Sequence, residues 1–284
     1  FELLFFNTAA TFKLLRHLDG FRKPKMVAWL HEQPFSILQW YAEDFTSKNL
    51  SAFEHLYCVS SQTEKWLINE WQLPAHRLSI VHPFIPISKK GCNDVTLRDA
   101  VQGHFIVGGC GLQDWRKGPD LFLQVALYFK IHHSGLPVLF EWVGGESGLT
   151  AGLKYELEKM QLTQSVSFAG QMEDTSLFYK RIDCLLLTSR EDPFPLVVLE
   201  AAAQGKAVLC FDEIGDITSV VKTVSENVVP YGRVDLIAKR ILHYLHNKAE
   251  AKRDGCQLQE VVTAVSVEQM AATFWKQILT SDRG

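Results

Sequence analysis

The sequence carries little net charge. Its 284 residues carry 29 Lys and Arg against 32 Asp and Glu, a net charge of −3. So weak a field gives no electrostatic basis for holding nucleic acid or coating an anionic membrane. No apolar run reaches transmembrane length, and no signal-like N-terminus is visible. The six cysteines form no C-x-x-C pair. Cys58, Cys184 and Cys210 sit inside apolar runs, which points to buried free thiols in a reducing, cytoplasmic setting rather than a disulfide framework or a zinc site. No D-x-D triplet offers a metal–diphosphate site, and no G-x-S-x-G elbow supports serine hydrolase chemistry. Solenoid-period repeats and low-complexity tracts are also missing. The chain opens on Phe1 rather than Met, so a fragment or processed product is expected.

What is present is apolar surface, 47% of residues, enough for sizeable cores. Short apolar runs predict strands at Leu3–Phe6, Met26–Leu30, Leu56–Val59, Leu78–Val81, Phe105–Val107, Val138–Val143, Val166–Phe168, Cys184–Leu187 and Ala207–Phe211. Helical stretches lie between most of them, including Leu121–His132, Leu153–Gln161 and Leu236–His246. Such alternation predicts an α/β protein with parallel sheets. The polar segment Ile87-Ser-Lys-Lys-Gly-Cys-Asn-Asp94 reads as a linker. The expected domains are residues 1–90, residues 91–265 and a closing helix within 266–284. That helix carries Met270, Phe274, Trp275 and Ile278 on one stripe and is expected to pack on a domain surface.

Four segments hold candidate chemistry. In Thr188-Ser-Arg-Glu-Asp-Pro-Phe-Pro-Leu-Val-Val-Leu-Glu200, Glu200 is a lone carboxylate within the apolar run Phe194–Ala203. Burying it costs several kcal/mol unless something pairs with it. The run reads as helical with Pro195 in its first turn, so Asp192 in the entry loop and Glu200 would face one crevice. Ligands of open α/β sheets bind at the carboxyl ends of strands, and helix N-termini attract phosphate. In Val107-Gly-Gly-Cys-Gly-Leu-Gln-Asp-Trp-Arg-Lys-Gly-Pro-Asp120, Arg116 and Lys117 again follow a strand and precede a helix, and adjacent cations there suit a diphosphate. The glycines match neither G-x-G-x-x-G, since position 114 is Asp, nor a P-loop. A nicotinamide-dinucleotide enzyme therefore lacks its fingerprint. In Trp29-Leu-His-Glu-Gln-Pro34, His31 ends a strand; Phe35 breaks an H-E-x-x-H pattern and removes the zinc-protease reading. Val166-Ser-Phe-Ala-Gly-Gln171 ends a strand on Gly170, where a ligand can approach the backbone closely. Taken singly, the last three segments read equally as an exposed cation pair, a structural histidine and an ordinary turn.

In order along the chain, these segments resemble the retaining GT-B glycosyltransferases of family 4. Asp192 and Glu200 enclose seven residues and look like that family's E-x7-E signature, with Glu191 one place out of register. The resemblance implies a GT-B fold of two Rossmann-like domains with a truncated N-terminal domain. By typical domain size, about 60–100 residues would precede Phe1. It implies transfer of a hexosyl group from a nucleotide-diphosphate sugar to an acceptor hydroxyl with retention, needing neither metal nor cofactor. The implied donor-binding residues are Gly111, Arg116, Lys117, Gly170, Asp192, Phe194, Leu196, Val197 and Glu200. Asp192 and the Phe194 backbone would hold sugar hydroxyls, Glu200 the ribose, and the Leu196 and Val197 amides the diphosphate. His31 resembles the family histidine near the donor sugar, and with Asp192, Lys117 and Arg116 completes the implied catalytic set. The Trp275 helix resembles the family's C-terminal helix that crosses back to the N-terminal domain. The implied acceptor is a saccharide or lipid-linked saccharide, with no nucleic-acid partner and peripheral contact with the inner face of the membrane left open. Asp stands in place of the first Glu, Pro193 and Pro195 stand where glycines are common, and Gly-Cys-Gly-Leu replaces Gly-Arg-Leu. Two alternatives stay open: a nucleotide-sugar-binding protein without transfer activity, and an epimerase of the same fold.

Overall fold

The computed structural model describes residues 1–18, 24–86, 103–264 and 267–280. The linker expected at 87–94 lies outside the described residues. The chain divides into two compact units: Phe1–Phe84 with Glu191–Phe194 and Val267–Gly284, and Ile85–Arg190 with Pro195–Ser266.

Unit 1 is built on a parallel sheet of β1 (Leu3–Phe6), β2 (Lys25–Leu30), β3 (His55–Cys58) and β4 (Leu78–Ile80), paired in that order. A 3-10 helix, Ala9–His17, links the first two strands; α1 (Pro34–Trp40), α2 (Ser47–Ser51) and α3 (Ser61–Asn69) follow. The sequence of β2 shows why both sheet faces are covered. Side chains alternate along a strand, and Met26, Ala28 and Leu30 join one buried cluster while Val27 joins another. On the first face Phe12 stacks on Phe45 with ring centres 5.6 Å apart, and Phe6 meets Phe53 edge-on.

Unit 2 comprises β5 (Phe105–Cys110), α4 (Pro119–His132), β6 (Val138–Val143), α5 (Thr150–Lys159), β7 (Val166–Gly170), α6 (Ser176–Arg181), β8 (Cys184–Leu187), α7 (Leu196–Ala203), β9 (Ala207–Phe211), α8 (Ile217–Lys222), β10 (Val228–Val229), α9 (Val234–His246) and α10 (Lys248–Thr263). Its six parallel strands lie in the order β10-β9-β8-β5-β6-β7. From β5 the chain winds one way through β6 and β7, then returns to β8 and winds the other way. The sheet thus has a topological switch point between β5 and β8, where open α/β sheets carry ligands. Every residue of β8 and of β9 is buried, as expected of central strands covered on both faces.

The last helix, α11 (Val267–Thr280), belongs to unit 1. Phe274 and Ile278 close the second face of the sheet against Val27 and Tyr57, with Phe274 4.7 Å from the Trp29 ring. Trp275 departs from the expected stripe and is half exposed, since 100° per residue turns it off the Phe274–Ile278 line. Cys58, Cys184 and Cys210 are buried free thiols and Cys110 is a half-buried one. Cys256, however, is disulfide-bonded, against the expectation of free thiols.

Candidate active site

Two loops meet at the switch point of unit 2. The first runs from Gly111 to Gly118, between β5 and α4; the second follows β8 at Thr188–Arg190. Thr188 Oγ1 donates to Lys117 O at 3.1 Å, and the Arg190 amide donates to Arg116 O at 2.8 Å. Arg190 Nη1 also donates to Trp115 O at 2.6 Å and to Asp120 Oδ1 at 2.9 Å, while Nη2 reaches Asp120 Oδ2 at 2.5 Å. Its guanidinium lies 5.1 Å from the Trp115 ring centre. Within the first loop the Lys117 amide donates to Asp114 Oδ1 at 2.9 Å. Gly118 is left-handed at φ 68°, and a Cβ there would stand 2.2 Å from Thr188 O. Only glycine lets the two backbones approach so closely. Arg116 and Lys117 are half-buried, and the Lys117 stem lies across Gly111.

Glu200 lies on α7 and is half-buried. The lone carboxylate of the apolar run has a protein partner: Tyr179 on α6 donates its hydroxyl to Glu200 Oε2 at 2.7 Å. Burial raises the Tyr179 phenol well above its ordinary range, with Cys110 and Glu200 adding to the shift, so it stays protonated as a donor. Cys110, at the end of β5, is pushed to about 11, mainly by burial. It lies within electrostatic range of both Glu200 and Lys117. Pro195 stands at the cap of α7 rather than in its first turn, and the helix begins at Leu196. Val198 N–H bonds back to Pro195 O at 3.1 Å. The Leu196 and Val197 amides precede it, among the N–H groups for which a helix has no internal partner. Gly170 ends β7 at φ 76° with open space where a Cβ would stand, and its carbonyl accepts from Gly144 N at 2.9 Å.

Asp192 and Phe194 fall elsewhere. Residues 191–194 group with unit 1, whereas Glu200 belongs to unit 2, so the two signature acids do not share a unit. Glu191, the acid out of register, is buried and accepts from Phe35 N at 3.1 Å, Ser36 N at 3.2 Å and Ser36 Oγ, capping α1. The neighbouring Asp192 is 5% exposed, and the Phe194 ring stacks on His82 at 4.3 Å. Replacing Glu191 by Ala leaves buried donors without a partner and is expected to cost about 2–3 kcal/mol, read as a lower urea midpoint. His31, at the end of β2, is half-buried against Trp29 with Nε2 3.1 Å from Asn7 Oδ1. Burial lowers its pKa, only partly offset by Glu32, so the ring is neutral at neutral pH.

Of the predicted residues, unit 2 holds Gly111, Arg116, Lys117, Gly170, Leu196, Val197 and Glu200, and unit 1 holds His31, Asp192 and Phe194. Sequence reasoning missed Tyr179, Arg190 and Asp120. Arg190 carried the signal that marked Arg116, a cation just past a strand's carboxyl end; Tyr179 carried none. Among the described residues no cluster of three or more His, Cys, Asp or Glu could hold a metal ion, and no helix is long and apolar enough to cross a membrane.

Comparison with known proteins places this architecture. HepE of Anabaena, solved in complex with UDP, superposes with a TM-score of 0.80 at 16% identity, covering 99% of this chain and 79% of that one. Sucrose-phosphate synthase from Thermosynechococcus elongatus gives 0.78 at 20% identity, covering 99% and 75%. These likenesses establish a shared fold, the two-domain GT-B type. The lipopolysaccharide core biosynthesis mannosyltransferase LpcC of Rhizobium leguminosarum bv. viciae is 24% identical over 186 residues, 63% of this chain and 50% of that protein. The chain thus spans about half the length of the curated relative it matches. The profile of the glycosyl transferases group 1 matches residues 105–257, more than half the chain and nearly all of unit 2. The chain belongs to the glycosyl transferases group 1 family.

Proposed function

We propose that this chain carries the donor site of a retaining, metal-independent glycosyltransferase of GT-B family 4, which moves a hexosyl group from a nucleotide-diphosphate sugar to an acceptor hydroxyl. What supports this reading is the clasp between the loops after β5 and β8 at the switch point. It rigidifies the backbone that carries Arg116 and Lys117, two cations in the unit that also holds Glu200. Charge grows on the leaving diphosphate as the bond from the anomeric carbon to its oxygen breaks. Arg116, Lys117 and the Leu196 and Val197 amides stabilise that charge, doing the work a metal would otherwise do. The leaving phosphate oxygen takes the acceptor's proton as the new bond forms on the same face. Glu200 holds the ribose hydroxyls. On the family resemblance alone, Asp192 and the Phe194 backbone hold sugar hydroxyls and His31 serves the donor sugar. HepE, of the same fold, was solved with UDP, and a nucleotide of that class is the ligand expected here; the acceptor is a saccharide or lipid-linked saccharide. Slow hydrolysis of the donor without acceptor tests the stereochemistry. Proton NMR before mutarotation is expected to show the released sugar in the donor's own anomeric form, and the opposite anomer overturns retention.

A further inference from the structure

Glu200 gains its orientation from a residue outside the signature. Gly108, in the middle of β5, has no side chain; a Cβ there would lie 2.7 Å from both Phe178 and Ile182. That gap seats α6 directly on β5 and turns Tyr179, which is 1% exposed, toward α7. Its phenolic proton goes to Glu200 Oε2 at 2.7 Å. Among the described residues no donor reaches Oε1. A carboxylate so held keeps one oxygen fixed by the protein and offers the other, in a set direction, to a ligand hydroxyl.

We propose that Tyr179 is the positioning residue for Glu200, fixing the carboxylate so that it selects a ribose bearing its hydroxyls. The inference rests on the donor-site reading above and adds to it a determinant of ribose recognition. Tyr179 touches no substrate. Its loss lets the Glu200 side chain rotate, and the selection weakens although the carboxylate remains.

The test is calorimetry with UDP, GDP and ADP and with their 2′,3′-dideoxy counterparts, comparing each ribo form with its dideoxy form. Tyr179→Phe is expected to reduce the ribo-over-dideoxy preference about tenfold, the value of one hydrogen bond to a charged group, with dideoxy affinity unchanged. A merely structural Tyr179 would weaken both forms alike. In a Glu200→Ala background, Tyr179→Phe is expected to leave the ratio where Glu200→Ala alone puts it. If Glu200→Ala abolishes the preference but Tyr179→Phe does not alter it, the positioning role is overturned and the ribose assignment stands. If Glu200→Ala leaves the preference intact, or no nucleotide binds, the ribose assignment falls and this inference falls with it. A Tyr179→Phe chain that loses its cooperative melt also overturns the inference, because the tyrosine is then a packing residue.

Discussion

Lys117→Ala is expected to lower the turnover number of the complete enzyme about 10²–10³-fold, the usual loss when one preorganised electrostatic donor is removed. The backbone around it should survive. Lys117 donates its amide to Asp114 and its carbonyl accepts from Thr188, and both bonds involve main-chain atoms that alanine keeps. The substitution therefore removes a charge without removing the loop. Because that charge acts on a leaving group whose negative charge increases in the transition state, kcat should fall much more than nucleotide affinity. Steady-state kinetics alongside calorimetry separates the two. Near-normal turnover removes Lys117 from the chemical step, and near-normal turnover with a fall in affinity makes it a ground-state binding residue only.

Gly118→Ala is expected to destabilise the chain by about 2–4 kcal/mol, combining left-handed strain with overpacking. The new methyl would stand 2.2 Å from Thr188 O. That neighbour is backbone on a central strand's carboxyl end, which cannot swing aside as a flexible side chain would. Relief requires the two loops to part, breaking the Thr188–Lys117 and Arg190–Arg116 bonds. Gly135 supplies a control, being left-handed at φ 94° with nothing within 4 Å of its Cβ position. Gly135→Ala should cost only about 1 kcal/mol. Urea unfolding of both variants decides the matter: equal losses contradict the clasp, whereas a larger loss at Gly118 with weakened nucleotide binding supports it.

The sheets were legible because parallel strands covered on both faces are continuous apolar runs. Cys184–Leu187 and Ala207–Phe211 were read with their observed limits, as was Val138–Val143, which Glu141 interrupts. Other elements left no such trace. The two-residue β10 is too short for any period. Helix α1 exposes Phe35, Leu38 and Trp40, so its apolar residues give no inward stripe. Helix α10 packs through small residues: Gly255 sits where a Cβ would be 2.1 Å from Gly205 O, beside buried Ala251 and Asp254. A pattern search for large apolar residues passes over such a contact. The site divides the same way. Arg116, Lys117 and Glu200 stood out because charge beside apolar sequence needs a reason. Tyr179 lies 21 residues from Glu200 on another helix, and only the seating of α6 on β5 makes them partners. Glu191 and Asp192 show the limit of spacing. The register singled out Asp192, while the capping of α1 by Glu191 depends on residues over 150 positions away.

Unit 2 is expected to hold a nucleoside diphosphate at its switch point without a metal. Calorimetry of the chain against UDP, GDP and ADP in EDTA tests it most directly. Saturable one-to-one binding of at least one of the three is expected, weakened by Glu200→Ala. Binding of none, or binding that appears only when a divalent cation is added, contradicts it.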